Sequence, residues 1–209
     1  MKIIVFGATG TVGRLAVTRM LDEGHDVTAF ARWPERLGER SPRLTLVAGD
    51  ALNPKDVDAA VQGHDVVVVA LGAGASRKSV IRSQGTLNII RAMHRHGVRR
   101  LICQSTLGAH ESWSNLNFFW KRIMFGFLLR PAFRDHELQE NLVQASGLDW
   151  TIVRPGAFTD GPASGAYKEG FKPSDRSLRL KISRADVAGF LTRQLSEARY
   201  LRRAVGISY

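Results

Sequence analysis

The sequence predicts an α/β fold, a doubly wound parallel sheet with helices on both faces. Three observations predict it. Short apolar, β-branched runs alternate with stretches of helical periodicity from the first residue onward. The first strand-to-helix turn carries three glycines, Gly7, Gly10 and Gly13. The length of 209 residues is that of one domain able to bury its own core.

The elements follow in order. Lys2–Phe6 is an apolar run ending at glycine, the pattern of a strand buried on both faces. From Thr11 to Asp22, the residues Val12, Leu15, Ala16, Arg19 and Met20 recur at helical spacing, and Gly24 stops the helix. Asp26–Arg32 and Leu44–Ala48 are the second and third strands. Asn53-Pro54 opens a helix, with proline in the first turn, where its missing N–H does no harm. Asp65–Leu71 is the most continuous apolar strand. Ser76–His96 reads as a long helix with Val80, Ile81, Leu87, Ile90 and Met93 on its apolar side, and Arg99–Gln104 as a fifth strand.

Beyond Gly108 the pattern loosens. Trp113–Phe133 holds seven of the 17 aromatics. Asp135–Ala145 is a helix, Asp149–Val153 a sixth strand broken by Arg154-Pro155-Gly156, and 156–181 a loop rich in Gly, Pro, Ser and charge. Ser183, three residues before Asp186, starts a helix through about Ser196 in the manner of a capping box. Ala204–Ser208 reads as an edge strand. Residues 1–209 thus form one domain, with 154–181 a small C-terminal lobe on the substrate side.

Composition excludes several classes. Apolar residues make up 44% and charged residues 23%, which excludes a disordered chain. The single cysteine, Cys103, excludes a disulfide framework and a Cys-based zinc site, and its place in a core strand makes it an inert thiol. His94 and His96, two apart on a helix, face away from each other, so no metal site is expected. No apolar run approaches the ~20 residues needed to span a bilayer. MKIIVFGATG is too short and glycine-broken for a signal peptide, so a cytoplasmic setting is expected.

The glycine loop carries the first chemical signal. Gly7-Ala8-Thr9-Gly10-Thr11-Val12-Gly13 follows a strand and opens a helix. Gly7 permits the tight turn, Gly10 the approach of a pyrophosphate, and Gly13 close packing of helix on sheet. The phosphates of a dinucleotide would then lie at the helix N-terminus, where free N–H groups and the dipole favour an anion. This is the nucleotide-binding loop of a Rossmann fold. An acid at the end of the second strand would bind the ribose of NAD. Arg32 stands there instead, with Arg36 one turn beyond, and two guanidinium groups suit the 2′-phosphate of NADP(H). Asp50 and Ala51, after the third strand, are placed for the adenine side, and Leu71 and Gly72, after the fourth, for the diphosphate and ribose.

GATGTVG, VTAFAR, VAGD, DVVVVALGA, RLICQST, SGLDWTIVRPGAF and ISRADVAGFL occur in that order across nearly the whole chain. The chain resembles the atypical short-chain dehydrogenase/reductases, the NAD(P)H-binding single-domain group. Within it the chain is similar to the biliverdin reductase B (flavin reductase) branch and to regulatory proteins of nitrogen-metabolite repression. The resemblance implies that Gly7, Thr9, Gly10, Thr11 and Val12 hold the pyrophosphate and that Arg32 and Arg36 hold the 2′-phosphate. It implies that Asp50 and Ala51 meet adenine, and Leu71 and Gly72 the ribose. It also implies that Ser105 or Thr106 occupies the catalytic-serine region and that Pro155, Gly156 and Phe158 flank the nicotinamide.

The departures bear on chemistry. Members of the superfamily carry Tyr-x-x-x-Lys on the helix after the serine; spacing puts Ala132 and His136 at those positions here. Alcohol–ketone chemistry by that dyad is therefore not expected. Reduction of a flat conjugated acceptor, a flavin, quinone or tetrapyrrole-like molecule, does not need it. Ala157 stands where the biliverdin reductase B branch has a histidine beside its substrate. His110 is a candidate for the cleft, and Trp113, Phe118 or Trp120 for stacking on the acceptor. The alternative is a chain that binds NADP(H) without turnover, as a redox sensor, regulator or assembly protein.

The formal net charge of +11 is unevenly spread. Residues 66–110 hold seven bases and no acid, and 168–203 hold ten bases and four acids. Nucleic acid, a membrane surface and an anionic small molecule compete to explain this. Bases are not interleaved with aromatics and no nucleic-acid module is visible, so nucleic acid is not expected. Both segments are expected beside the cleft, as a field drawing an anionic, aromatic substrate. A monomer or homodimer is expected.

Overall fold

In the computed structural model, which describes residues 1–74 and 79–209, alternate residues of β1 (Lys2–Phe6) point into two separate cores. Ile3 and Val5 enter one; Ile4 and Phe6 enter the other. Period-2 alternation makes this inevitable for a strand that is apolar at every position and therefore central. On the first face lie α1 (Gly13–Asp22) and α5 (Arg184–Arg193), packed on each other. On the second lie α2 (Pro54–Val61), α3 (Ile81–His96) and α4 (Arg130–Gln144).

The remaining strands are β2 (Asp26–Ala31), β3 (Leu44–Ala48), β4 (Val66–Val69), β5 (Arg100–Gln104), β6 (Asp149–Pro155), β7 (Ala157–Thr159), β8 (Lys168–Glu169), β9 (Lys181–Ser183) and β10 (Arg203–Ser208). The main sheet runs β3-β2-β1-β4-β5-β6-β10-β8, and β7 pairs with β9 apart from it. All pairings are parallel except β10 with β8. The chain reverses its direction of travel across the sheet between β1 and β4, the point at which an open α/β sheet leaves a crevice at its carboxyl ends.

The predicted elements are found with four corrections. The third helix begins at Ile81 rather than Ser76; residues 75–78 lie outside the described residues. The fourth helix begins at Arg130, five residues before Asp135. Strand β6 is not broken at Arg154 but pairs with β10 through Pro155, and the Gly156 N–H donates to the Ile207 carbonyl just beyond. Strand β10 is not an edge, because the two residues of β8 cover it from inside the stretch read as loop. Two caps form as the sequence dictates: the Lys55 N–H donates to Asn53 Oδ1 (3.1 Å), and the Asp186 N–H to Ser183 Oγ (3.0 Å).

A third, smaller core holds the region after β5. Leu107, Leu116, Phe125, Phe133, Leu178 and Leu180 pack there. Phe125 stacks on Phe133 with ring centroids 4.5 Å apart. The aromatic stretch forms a π-type helix, Phe119–Leu128, closed at its end by the Leu129 N–H donating to the Met124 carbonyl (2.6 Å). The segment 171–180 closes over the same core, so the C-terminal lobe and the aromatic stretch are one body.

Candidate functional site

At the carboxyl ends of β1, β2, β4, β5 and β6 a cleft of about 1060 Å³ opens. One end is lined by Gly7, Thr9, Gly10, Thr11 and Val12, with Arg32, Asp50, Ala51, Leu71 and Gly72 around them. The other holds Ser105, Thr106, His136, Pro155, Gly156 and Phe158. The fold brings those residues together from the ends of six strands and from α4.

The glycine end is shaped for a ligand backbone. Gly7 adopts φ +83°, and a Cβ there would run into the Ala70 carbonyl. A Cβ at Gly13 would strike the Gly7 carbonyl, so the helix can sit this close to β1 only as glycine. Val12, at the N-cap of α1, offers no side-chain cap, which leaves first-turn N–H groups for an external anion. A cradle of this kind fits the pyrophosphate of a dinucleotide. Beyond it, Asp50 Oδ1 accepts from the Leu52 N–H (3.0 Å), and Asn88 Nδ2 donates to the Ala51 carbonyl (2.9 Å). Asn88, buried on α3, thus holds the Asp50–Ala51 turn at this end of the cleft. The sequence offered no sign of it beyond a polar residue on an apolar helix side.

Arg32 lines the cleft, exposed, with its guanidinium 4.9 Å from the Trp33 ring centre. Arg36 does not line it. It lies in the 3₁₀ turn Pro34–Leu37, 4.6 Å from the same ring, so Trp33 contacts both guanidinium groups.

The other end is less polar. Ala132 and His136, at the positions of the missing dyad, both line it, and none of the three tyrosines does. Tyr200 donates to Glu169 and Tyr209 to Asp186, away from the cleft. Ser105 Oγ and His136 Nδ1 are 3.5 Å apart. Desolvation, and then the positive charge of Arg82, push the His136 pKa down to about 3, so its imidazole is neutral. Trp120, Phe125, Phe133, Leu116 and Leu129 form the facing wall.

Three expected substrate residues lie elsewhere. His110 has φ +50° and directs Nε2 toward the Glu140 carboxylate, 3.7 Å away, rather than into the cleft. Trp113 packs behind the wall on Phe133, ring centroids 5.4 Å apart. Phe118 is 73% exposed on the outer side of the π-type helix. Of the aromatics considered for stacking, Trp120 is the one at the cleft.

Two groups escaped sequence reasoning. Arg82, 14% exposed, lines the cleft at the first turn of α3. Its Nε and Nη1 are buried with no hydrogen-bond partner among the described residues. Asp135 stands 3.7 Å from Nη1 and accepts instead from the Arg82 and Ser83 N–H groups and from Ser83 Oγ. Desolvation lowers the Arg82 pKa, with Asp135 opposing it.

The second is an ion-pair cluster under Pro155. Arg154 is 2% exposed and Glu140 fully buried. Arg154 Nε donates to Glu140 Oε1 (3.0 Å), Nη2 to Glu140 Oε2 (2.6 Å) and Nη1 to Glu111 Oε1 (2.5 Å). Desolvation disfavours the guanidinium charge, but Glu140 and then Glu111 outweigh it and raise the Arg154 pKa. Burial, and then the Glu140 charge, also push the Cys103 thiol pKa up, in keeping with an inert thiol.

The charge surplus is not gathered at the cleft. Among the described residues only Arg32 and Arg82 bring formal positive charge to its lining. Lys168 pairs with Asp175, Arg193 and Arg199 with Glu169, and Arg99 and Arg202 with Asp149. Lys172, Arg176 and Arg179 do not line the cleft either. The expected anion-drawing field from 168–203 is therefore corrected: none of those bases lines the cleft, and half of them are taken up in surface ion pairs.

Comparison with known proteins gives three kinds of relative. A family profile described as NAD(P)H-binding matches residues 7–198. A Bacillus subtilis (strain 168) protein named as an uncharacterized sugar epimerase, YhfK, is 27% identical over 217 residues, 100% of this chain and 94% of its own. The photosystem II assembly factor Ycf39 of Synechocystis is 27% identical over 165 residues, 77% of this chain but 46% of Ycf39, so the match spans less than half of that protein. Among solved structures, ChuY, an anaerobillin reductase from Escherichia coli O157:H7, superposes with a TM-score of 0.83 at 23% identity, covering 100% of this chain and 97% of its own. At that identity the likeness is one of fold.

Removing Glu140 strands the Arg154 charge in the core. Glu140→Ala should destabilise by about 3–5 kcal/mol in urea unfolding. Glu111→Ala, whose side chain is 60% exposed, should cost about 1 kcal/mol or less. Equal effects would refute the ranking. His136 makes a pH prediction. Its folded pKa of about 3 lies below the ordinary 6.5, so the unfolded chain takes up its proton first as pH falls. The site's contribution to stability is intact above about pH 6.5 and is lost progressively toward pH 3. Melting curves for His136→Gln should fall less steeply over that range than those of the wild type; parallel curves would refute the assignment.

Proposed function

This chain belongs to the NAD(P)H-binding family, and from that premise we propose that it is an NADP(H)-dependent reductase of a flat, conjugated, anionic acceptor. A flavin, a quinone or a tetrapyrrole-like molecule is meant. The observation that carries the reading is the two-ended cleft: a glycine cradle with Arg32 at one end, and an aromatic wall facing Ser105 and His136, without a tyrosine, at the other.

Gly7, Thr9, Gly10, Thr11 and Val12 would hold the pyrophosphate against the α1 N-terminus. Arg32, with Arg36 in contact with the same Trp33 ring, would face the 2′-phosphate. Asp50 and Ala51 would meet adenine, and Leu71 and Gly72 the ribose. When bound, the dihydronicotinamide supplies the hydride. Pro155 and Gly156, fixed from below by Arg154 and Glu140, would set the face on which the nicotinamide lies. Trp120, Phe125 and Phe133 exclude water and offer rings for stacking.

A neutral His136 and the Ser105 hydroxyl can exchange a hydrogen bond with an acceptor nitrogen or oxygen. An imidazole with so low a pKa carries no spare proton at neutral pH, so the acceptor's proton would come from water. Arg82, with two buried donors left over, is suited to an anionic substituent. A sugar-epimerase reading is disfavoured, because such chemistry ordinarily uses the tyrosine that the cleft lacks. The exposed Phe118 and Phe127 favour a second reading, a protein that binds NADP(H) without turnover and reports it to a partner. Selective NADPH binding, no oxidation with any acceptor and a partner recovered in its presence would establish that reading.

Two measurements test the proposal. Arg32→Asp should weaken NADPH binding by about 2–3 kcal/mol and leave NADH binding unchanged or improved; equal losses would show that Arg32 does not read the 2′-phosphate. NADPH oxidation should be seen with FMN, and Arg82→Met should raise KM for FMN more than for riboflavin, which lacks the phosphate. No oxidation with flavins, quinones or tetrapyrroles would overturn the reductase reading.

A further inference from the structure

The π-type helix Phe119–Leu128 is apolar on both sides, and only one side is covered. Trp120 and Phe125 face inward and line the cleft. Phe118, Phe119, Ile123, Phe127 and Leu128 are exposed, Phe127 at 78%. Hydrogen bonding from i to i+5 puts Phe118, Ile123 and Leu128 in one row, with Phe119 and Phe127 next to it. An apolar helix side is ordinarily buried. Five large apolar side chains within eleven residues form a patch of the kind that marks an interaction surface.

The segment that carries the patch has charge of one sign. Residues 112–134 contain Lys121, Arg122, Arg130 and Arg134 and no acid. Arg122, Arg130 and Arg134 are exposed. Asn115 Nδ2 donates to the carbonyls of Lys172 (2.9 Å) and Asp175 (3.1 Å), which ties the exposed Lys172 and Arg176 to the same lobe.

We propose that this face of the lobe seats on an anionic lipid surface. The phenylalanines enter the headgroup region while the arginines and lysines meet lipid phosphates. The single sign of charge decides between occupants. A second copy docked about a two-fold axis would set these bases against their own counterparts, and like charges oppose that contact. Lipid phosphates neutralise them. No helix of the described residues is long and apolar enough to cross a membrane, so the contact is peripheral and sensitive to salt. The proposal stands independently of what the cleft reduces.

The test is co-sedimentation of the full chain with vesicles of phosphatidylcholine, alone or mixed equally with phosphatidylglycerol, at low and high salt. Binding to the mixed vesicles should be at least about tenfold tighter than to the neutral ones and should weaken as salt rises. Phe118→Ser with Phe127→Ser, both on exposed side chains, should reduce it by about tenfold or more, as should Arg122→Glu with Arg130→Glu. Unchanged NADPH binding and melting temperature would show that these variants are folded. Absence of binding to the mixed vesicles at low salt overturns the proposal. So does binding that the phenylalanine pair leaves untouched. A dimer seen by light scattering and dissolved by the phenylalanine pair, without vesicle binding, would instead identify a second copy as the occupant.

Discussion

One buried charge pair anchors the aromatic end of the cleft. Arg154 sits at the end of β6 and Glu140 on α4, and neither has access to water. A guanidinium so placed is tolerable only with its carboxylate in hydrogen-bonding contact, because desolvation would otherwise cost several kcal/mol. The pairing therefore fixes three things at once. It sets the depth of Pro155 and Gly156, it sets the rotation of α4 that turns Ala132 and His136 to the cleft, and through Glu111 it ties down the turn His110–Asn115. Hydrophobic packing alone would not set the register of α4 against β6, since apolar contacts are not directional. The ion pair supplies that direction.

The two ends of the cleft are built in different ways. The glycine end is made of turns that directly follow strands, β1, β2, β3 and β4, each placed by the sheet itself. Its shape follows from backbone proximity, with Gly7 lying against Ala70 and Gly13 against Gly7. The aromatic end is assembled from side chains far apart in sequence: Arg82 from α3, Phe125 from the π-type helix, Ala132 and His136 from α4, and Leu180 from the lobe. The second set can therefore change without disturbing the first.

The basic excess of the chain has a local rather than a global meaning. Many of its arginines are spent on surface pairs with Asp149, Glu169 and Asp58, where water screens most of their energy. At the cleft itself the charge is sparse: Arg32 at its mouth, Arg82 within it, and Arg154 beneath it.

The sequence by itself determined the layers, the strand alternation, the glycine turn after β1, the caps at Asn53 and Ser183, and the residues at the glycine end of the cleft. Those features are written in local periodicity, in glycine where a side chain has no room, and in capping residues next to the groups they cap. Only the tertiary structure decided the aromatic side. Trp113 and Phe118 looked as suitable as Trp120, because composition does not say which way an i→i+5 helix turns its rings. His110 looked like a cleft residue until its left-handed backbone aimed it at Glu140. Strand β10 read as an edge because its partner β8 is two residues long, too short for any periodicity to register. Arg82, Arg154 and Glu140 carried no motif at all. Their roles come from partners 53, 43 and 14 residues away, and contacts at such separations exist only once the sheet has brought the helices together.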